Sequence, residues 1–181
     1  MKAEDIFYSF FGNNIIIGSH IEKQLNFLKE NIPEDFKRRE MHDLGCGDGK
    51  VTILLEKIFD PKEILAYDAN KGLVERIKKK GINAKVMDFE NEIPSGELAV
   101  MWGVFHHLQK QKEVLEKIKN NFDFLFFREP LIQKNSRKSI FELGEPFERS
   151  EIDQIIDETI GECQKFEYEN AIFVFFKKNR K

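Results

Sequence analysis

Ten residues constrain this chain more than any others: Met41-His42-Asp43-Leu44-Gly45-Cys46-Gly47-Asp48-Gly49-Lys50. They read as a short strand ending at an acid, a glycine-rich turn, and a helix running to about Phe59. Glycine accepts the positive φ of a sharp turn, and without a Cβ it lets a ligand come close. The helix that follows points its N-terminal N–H groups back at the turn. A strand, turn and helix in this order suit a nucleotide-like ligand.

Spacing separates the nucleotides. The dinucleotide fingerprint G-x-G-x-x-G puts its third glycine at position 50, which here is Lys50. The chain instead reads G-x-G-x-G, with Asp43 two residues ahead of Gly45. Such turns also occur for structural reasons alone, so the rest of the chain must decide. The string resembles the first motif of the class I S-adenosylmethionine-dependent methyltransferases. That resemblance implies an α/β fold: a Rossmann-like, doubly wound, seven-stranded sheet, mostly parallel with an antiparallel terminal strand, and helices on both faces. It also implies S-adenosyl-L-methionine as cofactor, S-adenosyl-L-homocysteine as product, and Asp43, Gly45, Cys46 and Gly47 as cofactor-binding residues.

The next segments extend the pattern. Glu63 to Asp68 is a short apolar run ending in a carboxylate. An acid at the end of the second strand can accept two hydrogen bonds from a ribose diol, and Asp68 with Ala69 fills that place. A helix from Lys71 to about Lys80 stops at Gly81. Asn83 to Phe89 reads as the third strand, and the resemblance implies that Asp88 takes the adenine amine while Phe89 flanks the ring. Glu97 to Leu108 resembles the family's fourth motif and its V-L-H-H-L turn. Glu97 replaces the usual opening Asp, and Met101-Trp102 replaces a small or polar pair. Met101, Trp102 and His107 are then cofactor-side residues, with the backbone at Trp102 and Gly103 as an alternative contact. Histidine titrates in the range needed of a base, so His106 and His107 are the catalytic candidates, followed by Glu129. Core packing is the alternative for Trp102, and a structural role for either histidine.

A helix is expected over Lys110 to Asn120, then a buried strand over Phe122 to Phe127 leading into Arg128-Glu129-Pro130. Strands alternating with helices of this length call for parallel pairing. Leu131 to Phe147 is the longest irregular stretch, placed to face substrate. Ser150 is expected to cap the following helix. Cys163 to Tyr168 and Ala171 to Lys177 form a hairpin turning at Glu169-Asn170. Residues 1–39 read as a helical cap or lid and 40–181 as the methyltransferase domain. Within the first, Ser19 caps a helix from His20 to about Asn31, and Phe7, Tyr8, Phe10 and Phe11 either line a substrate pocket or pack on the sheet.

Composition narrows the function. No apolar run approaches a membrane span, and the start of the chain lacks the apolar region of a signal peptide. Two cysteines among 181 residues give neither a disulfide framework nor a metal cluster, so no metal and a cytoplasmic location are expected. A net charge of −3 does not favour nucleic acid. Neither N-P-P-Y nor D-P-P-Y occurs, and no cysteine follows the fourth strand as a cytosine C5 nucleophile. These absences favour a small-molecule acceptor methylated on O, N or C. An RNA or protein acceptor is the alternative; its mark would be the basic runs Arg76 to Lys80, Lys134 to Lys138 and Lys177 to Lys181 converging on the cofactor face. A third reading is a non-catalytic cofactor-binding subunit, suggested by the Met101-Trp102 departure. Membrane partners are not expected, and oligomeric state is left open.

Overall fold

The computed structural model describes residues 19–132 and 146–179. The expected pocket aromatics Phe7, Tyr8, Phe10 and Phe11, the basic run at 134–138 and most of the 131–147 loop lie outside the described residues. Helix α1 is Ser19–Asn31, followed by the strand β1, Glu40–Leu44. Helix α2 (Lys50–Phe59), strand β2 (Glu63–Asp68), helix α3 (Lys71–Lys78) and strand β3 (Asn83–Val86) come next. The second half holds β4 (Gly96–Trp102), α4 (Gln111–Asn121), β5 (Phe122–Pro130), α5 (Arg149–Thr159), β6 (Gln164–Tyr168) and β7 (Ala171–Lys177).

The seven strands form one sheet in the order β3-β2-β1-β4-β5-β7-β6. β7 runs antiparallel to β5 and β6, and the other pairings are parallel. This is the expected architecture. The β6–β7 hairpin turns at Glu169 and Asn170, with φ 46° and 56°, the left-handed pair that a two-residue connection requires.

The near-continuous apolar runs of β4 and β5 are buried on both faces, as parallel central strands are. One face carries Leu44, Met101, Phe127, Val174 and the apolar sides of α4 and α5. The other carries Met41, Val100, Phe126 and Phe173 against Leu25 and Leu28 of α1 and Leu55 and Phe59 of α2. Helix α1 therefore contributes to the core of the sheet. It is also tied to the hairpin, where Gln24 Nε2 donates to the Glu169 carbonyl at 2.8 Å and Phe27 stacks on Tyr168.

Several boundaries differ from expectation. β3 stops at Val86 because Asp88 turns the chain, accepting from the Glu90 N–H at 3.0 Å and Asn91 Nδ2 at 2.9 Å. Ser150 does not cap α5. That helix begins at Arg149, with Glu148 at the cap position and no side-chain cap bond; Arg149 instead pairs with Asp153 at 2.6 Å and Glu167 at 2.8 Å. β5 runs on through Arg128 and Glu129 to Pro130, held by register with β7.

Candidate active site

β1 is the strand from which the chain first winds outward through β2 and β3, then returns on the other side through β4 and β5. Ligands bind outside the carboxyl ends of the strands at such a switch point. A cleft of about 290 Å³ opens there.

Its floor is the glycine turn. Gly45 and Cys46 donate their N–H groups to the Tyr67 carbonyl at 2.8 and 2.9 Å, stitching the turn to β2. Gly45 (φ 87°) has to be glycine for packing as well, since a Cβ there would run into Val104. Gly47 (φ 55°) is different: a Cβ built on it meets nothing within 4 Å. The bare side of Gly47 is therefore open space in the cleft.

Carboxylates hold this turn in shape. Asp68 accepts from the Gly47 N–H at 2.9 Å through Oδ2 and from the Asn70 N–H at 2.8 Å through Oδ1. Asn70 in turn caps α3, accepting from the Gly72 and Leu73 N–H groups. Asp43, almost wholly buried, accepts from Thr52 Oγ1 at 2.5 Å. Burial, with the nearby Asp68 charge adding to it, pushes the Asp43 carboxyl up to about 7. Burial also drives the Cys46 thiol far above its ordinary range, which removes its nucleophilic form. Lys80, at the end of one basic run, donates to the Asp48 carbonyl at 2.7 Å.

The opposite wall is the segment after β4. Trp102, Gly103, Val104 and His107 line it. Beneath them sits Glu129, wholly inaccessible to solvent. Its Oε1 accepts the Val104 and Phe105 N–H groups at 2.9 and 2.8 Å. Its Oε2 accepts the His106 N–H at 3.3 Å and lies 2.6 Å from His106 Nδ1. Backbone N–H groups can only donate, so Glu129 accepts three of them from the turn while facing His106 Nδ1. His106 Nε2, the other ring nitrogen, is not engaged by Glu129. His107 is pushed down to about 4, first by burial and then by His106 beside it, so it is neutral at pH 7.

Eight of the expected site residues line the cleft: Asp43, Gly45, Cys46, Gly47, Asp68, Ala69, Trp102 and His107. Asp88 spends its carboxylate on its own turn, and Phe89 and Met101 lie in the core. Glu97 sits at the other end of β4, accepting from the Glu40 N–H at 2.8 Å and pairing with Arg39 and Lys62, each at 3.6 Å. Among the described residues no group of three or more His, Cys, Asp or Glu side chains could hold a metal ion.

Residues 42–122 match the family described as a methyltransferase domain. Over this segment, a little under half of the chain, the sequence is similar to a methyltransferase domain. The fold agrees with solved structures of low sequence identity. A chain from the complex between the Haloferax volcanii Trm112 methyltransferase activator and the putative methyltransferase superposes with a TM-score of 0.70 at 10% identity, covering 97% of each chain. The methyltransferase domain of bacterial CtHen1-CN gives 0.68 at 15% identity, over 88% of this chain and 100% of that one. Magnesium protoporphyrin IX methyltransferase from Synechocystis PCC 6803, solved with bound S-adenosylhomocysteine, gives 0.61 at 10%, over 86% and 80%. No curated protein matches the sequence.

The cleft also contains residues that sequence reasoning did not single out. Val51 and Leu73 line it from helices, where an apolar residue carries no chemical signature. Asn70 had a signal, an Asn just ahead of a helix. Glu129 was named only as a third base; its anchoring role depends on β5 reaching Pro130, which the β7 pairing settles.

Proposed function

We propose that this methyltransferase acts in the cytoplasm on a small-molecule acceptor whose nucleophile arrives protonated, with His106 as the base. The observation that carries the reading is the buried Glu129 carboxylate 2.6 Å from His106 Nδ1, one residue from His107, which lines the cleft. This arrangement orients the imidazole, keeps Nε2 as the proton acceptor and stabilises the charge that follows.

The cleft fits the cofactor on two counts. Open space off Gly47 accommodates a chain that any side chain there would displace, and Asp68, at the end of β2, lines the cleft with a carboxylate of the kind that accepts from a ribose diol. Asp43, Gly45, Cys46, Gly47, Asp68, Ala69, Trp102 and His107 are assigned to it, and the adenine end to the wall carrying Asn70 and Leu73. When bound, it supplies an activated methyl group. The chain's own contribution is alignment, worth on the order of 7–11 kcal/mol in favourable cases, and proton removal by His106. His107, uncharged at pH 7, packs and positions. Both cysteines are free thiols, which fits a reducing compartment.

The test starts with calorimetric titration of the protein with S-adenosylmethionine, S-adenosylhomocysteine and, as control, NAD. Binding of the sulfur ligands alone is expected. Hydroxylated small molecules are then screened for release of S-adenosylhomocysteine. With the acceptor found, His106→Ala should lower turnover by roughly 10²–10⁴ while cofactor affinity stays within about twofold. A fully active His106→Ala enzyme would sink the assignment of the base.

The Haloferax volcanii structure includes an activator and supports a second reading, in which a partner subunit is required. That reading expects a protein that binds S-adenosylhomocysteine yet turns over only when co-expressed with such a partner.

A further inference from the structure

The floor of the cleft holds a buried carboxyl bonded to a neutral group. Asp43 lines the cleft while only 3% of it is accessible, and its side chain accepts from the Thr52 hydroxyl at 2.5 Å. Among the described residues no lysine or arginine lines the cleft. The other two acids there are placed differently. Asp48 has Lys50 Nζ at 3.7 Å and Lys80 Nζ at 4.0 Å, and Asp68 accepts the Gly47 and Asn70 N–H groups. Burial first, and then the charge of Asp68 from the end of β2, hold the proton on Asp43 up to about 7. The other titratable neighbours are silent there: the Cys46 thiol keeps its proton and His107 is uncharged. A charge brought into the cleft near neutral pH therefore tips Asp43 before any of them.

The two forms of the cofactor differ by one such charge. S-adenosylmethionine carries a positive sulfonium, and S-adenosylhomocysteine, its methyl group gone, has a neutral thioether in that place. A ligand lying across the glycine turn is within a Debye length of Asp43, about 8 Å at physiological salt. Charges beside a partly buried carboxylate are also screened less than exposed ones.

We propose that Asp43 reads this charge, ionising when the methyl donor binds and keeping its proton when the product binds. The inference rests on the cofactor reading above. As the donor binds, the carboxyl O–H bond of Asp43 breaks, the electron pair stays on the oxygen and the proton leaves to the buffer. Once the methyl group is gone, a buried carboxylate has lost its counter-charge, and it regains a proton from solvent. A carboxyl that ionises more readily in the donor complex favours that complex increasingly as pH rises. Asp43 is then a specificity-determining residue that separates donor from product.

The test uses the full chain, titrated by calorimetry with S-adenosylmethionine and with S-adenosylhomocysteine at about pH 6 and about pH 8. The amino and carboxylate groups are common to both ligands, so the ratio of the two affinities isolates the sulfonium. That ratio is expected to shift towards S-adenosylmethionine by about three- to tenfold over the interval. In buffers of different ionisation enthalpy near pH 7, S-adenosylmethionine should release more protons than S-adenosylhomocysteine, by up to about half a proton per site. Asp43→Asn should flatten the ratio and remove the difference in proton release. Thr52→Val takes away the hydroxyl that favours the ionised carboxyl, so the shift should move to higher pH. It also serves if the Asn variant does not fold. A ratio that stays constant with pH, or a shift that persists in Asp43→Asn, overturns the proposal and leaves the cofactor assignment in place. Failure of both ligands to bind defeats the cofactor assignment and this inference with it.

Discussion

Asp43 is a carboxyl held where charge is costly. Its burial and the neighbouring Asp68 raise it from 3.8 to about 7, and the Thr52 hydroxyl is the hydrogen-bond partner that partly offsets this. Raised in the folded state, it leaves stability intact at low pH and withdraws it as pH climbs from about 4 to about 7, where the unfolded chain ionises and the folded chain resists. The interval corresponds to an upper bound on the order of 4 kcal/mol. Asp43→Asn, which cannot ionise, should therefore unfold at a higher temperature than wild type at about pH 8 and lose that advantage near pH 4. A variant less stable than wild type at both values would show that the carboxylate is stabilised in the fold. Gly47→Val tests the other half of the turn. The added side chain enters open space at a φ that β-branched residues resist, so S-adenosylmethionine affinity should fall by at least about a hundredfold, roughly 3 kcal/mol. Normal affinity in a folded Gly47→Val protein would make the turn purely structural.

Among the elements, the alternation of strands and helices was plain in the sequence because each carries its own period and its own stop signal. The glycine turn, the acids at the ends of β1 and β2, and the Glu169-Asn170 hairpin are local features, and each lies where local chemistry placed it. What local chemistry did not reveal depends on partners distant in sequence. β5 reads as ending at Phe127, yet pairing with β7 carries it through Arg128 and Glu129, and Glu129 supplies the anchor of the segment after β4. Ser150 had the right residue type for a cap, but α5 starts one residue earlier, where Arg149 joins Asp153 and Glu167. Helix α1 presented two uses, cover for the cleft or packing on the sheet. Leu28 of α1 is wholly buried in the cluster that includes Val100, Phe126 and Phe173. Leu28→Ala should accordingly cost about 2–5 kcal/mol of unfolding free energy, measured by urea titration. A cost below about 0.5 kcal/mol, usual for surface sites, would mean that α1 lies loosely on the sheet.

For the molecule as a whole, the basic residues that lie within the described residues bear on the proposed acceptor class. A polyanionic acceptor needs cations gathered around the cleft, so that binding releases counterions and weakens steeply with salt. Lys80 does reach the glycine turn, but it is spent on the Asp48 carbonyl. Lys177 and Lys178 lie elsewhere. β7 is antiparallel to β5 and pairs Lys177 with Phe124 near the start of that strand, whereas the cleft lies at the carboxyl ends of the parallel strands. Lys177 is further held by Asp35 at 2.7 Å, and Lys178 donates to the Asn120 carbonyl at 2.8 Å. These two cations thus occupy the opposite edge of the sheet from Gly47, Trp102 and His106, on a chain whose net charge is −3. Replacing both with glutamate should leave turnover on the small-molecule acceptor within about twofold across roughly 50 to 200 mM salt. On an RNA acceptor bound along that edge, the same replacement would cost an order of magnitude or more and flatten the salt dependence. That result would overturn the small-molecule assignment, because only a ligand long enough to span the sheet could touch both ends of it.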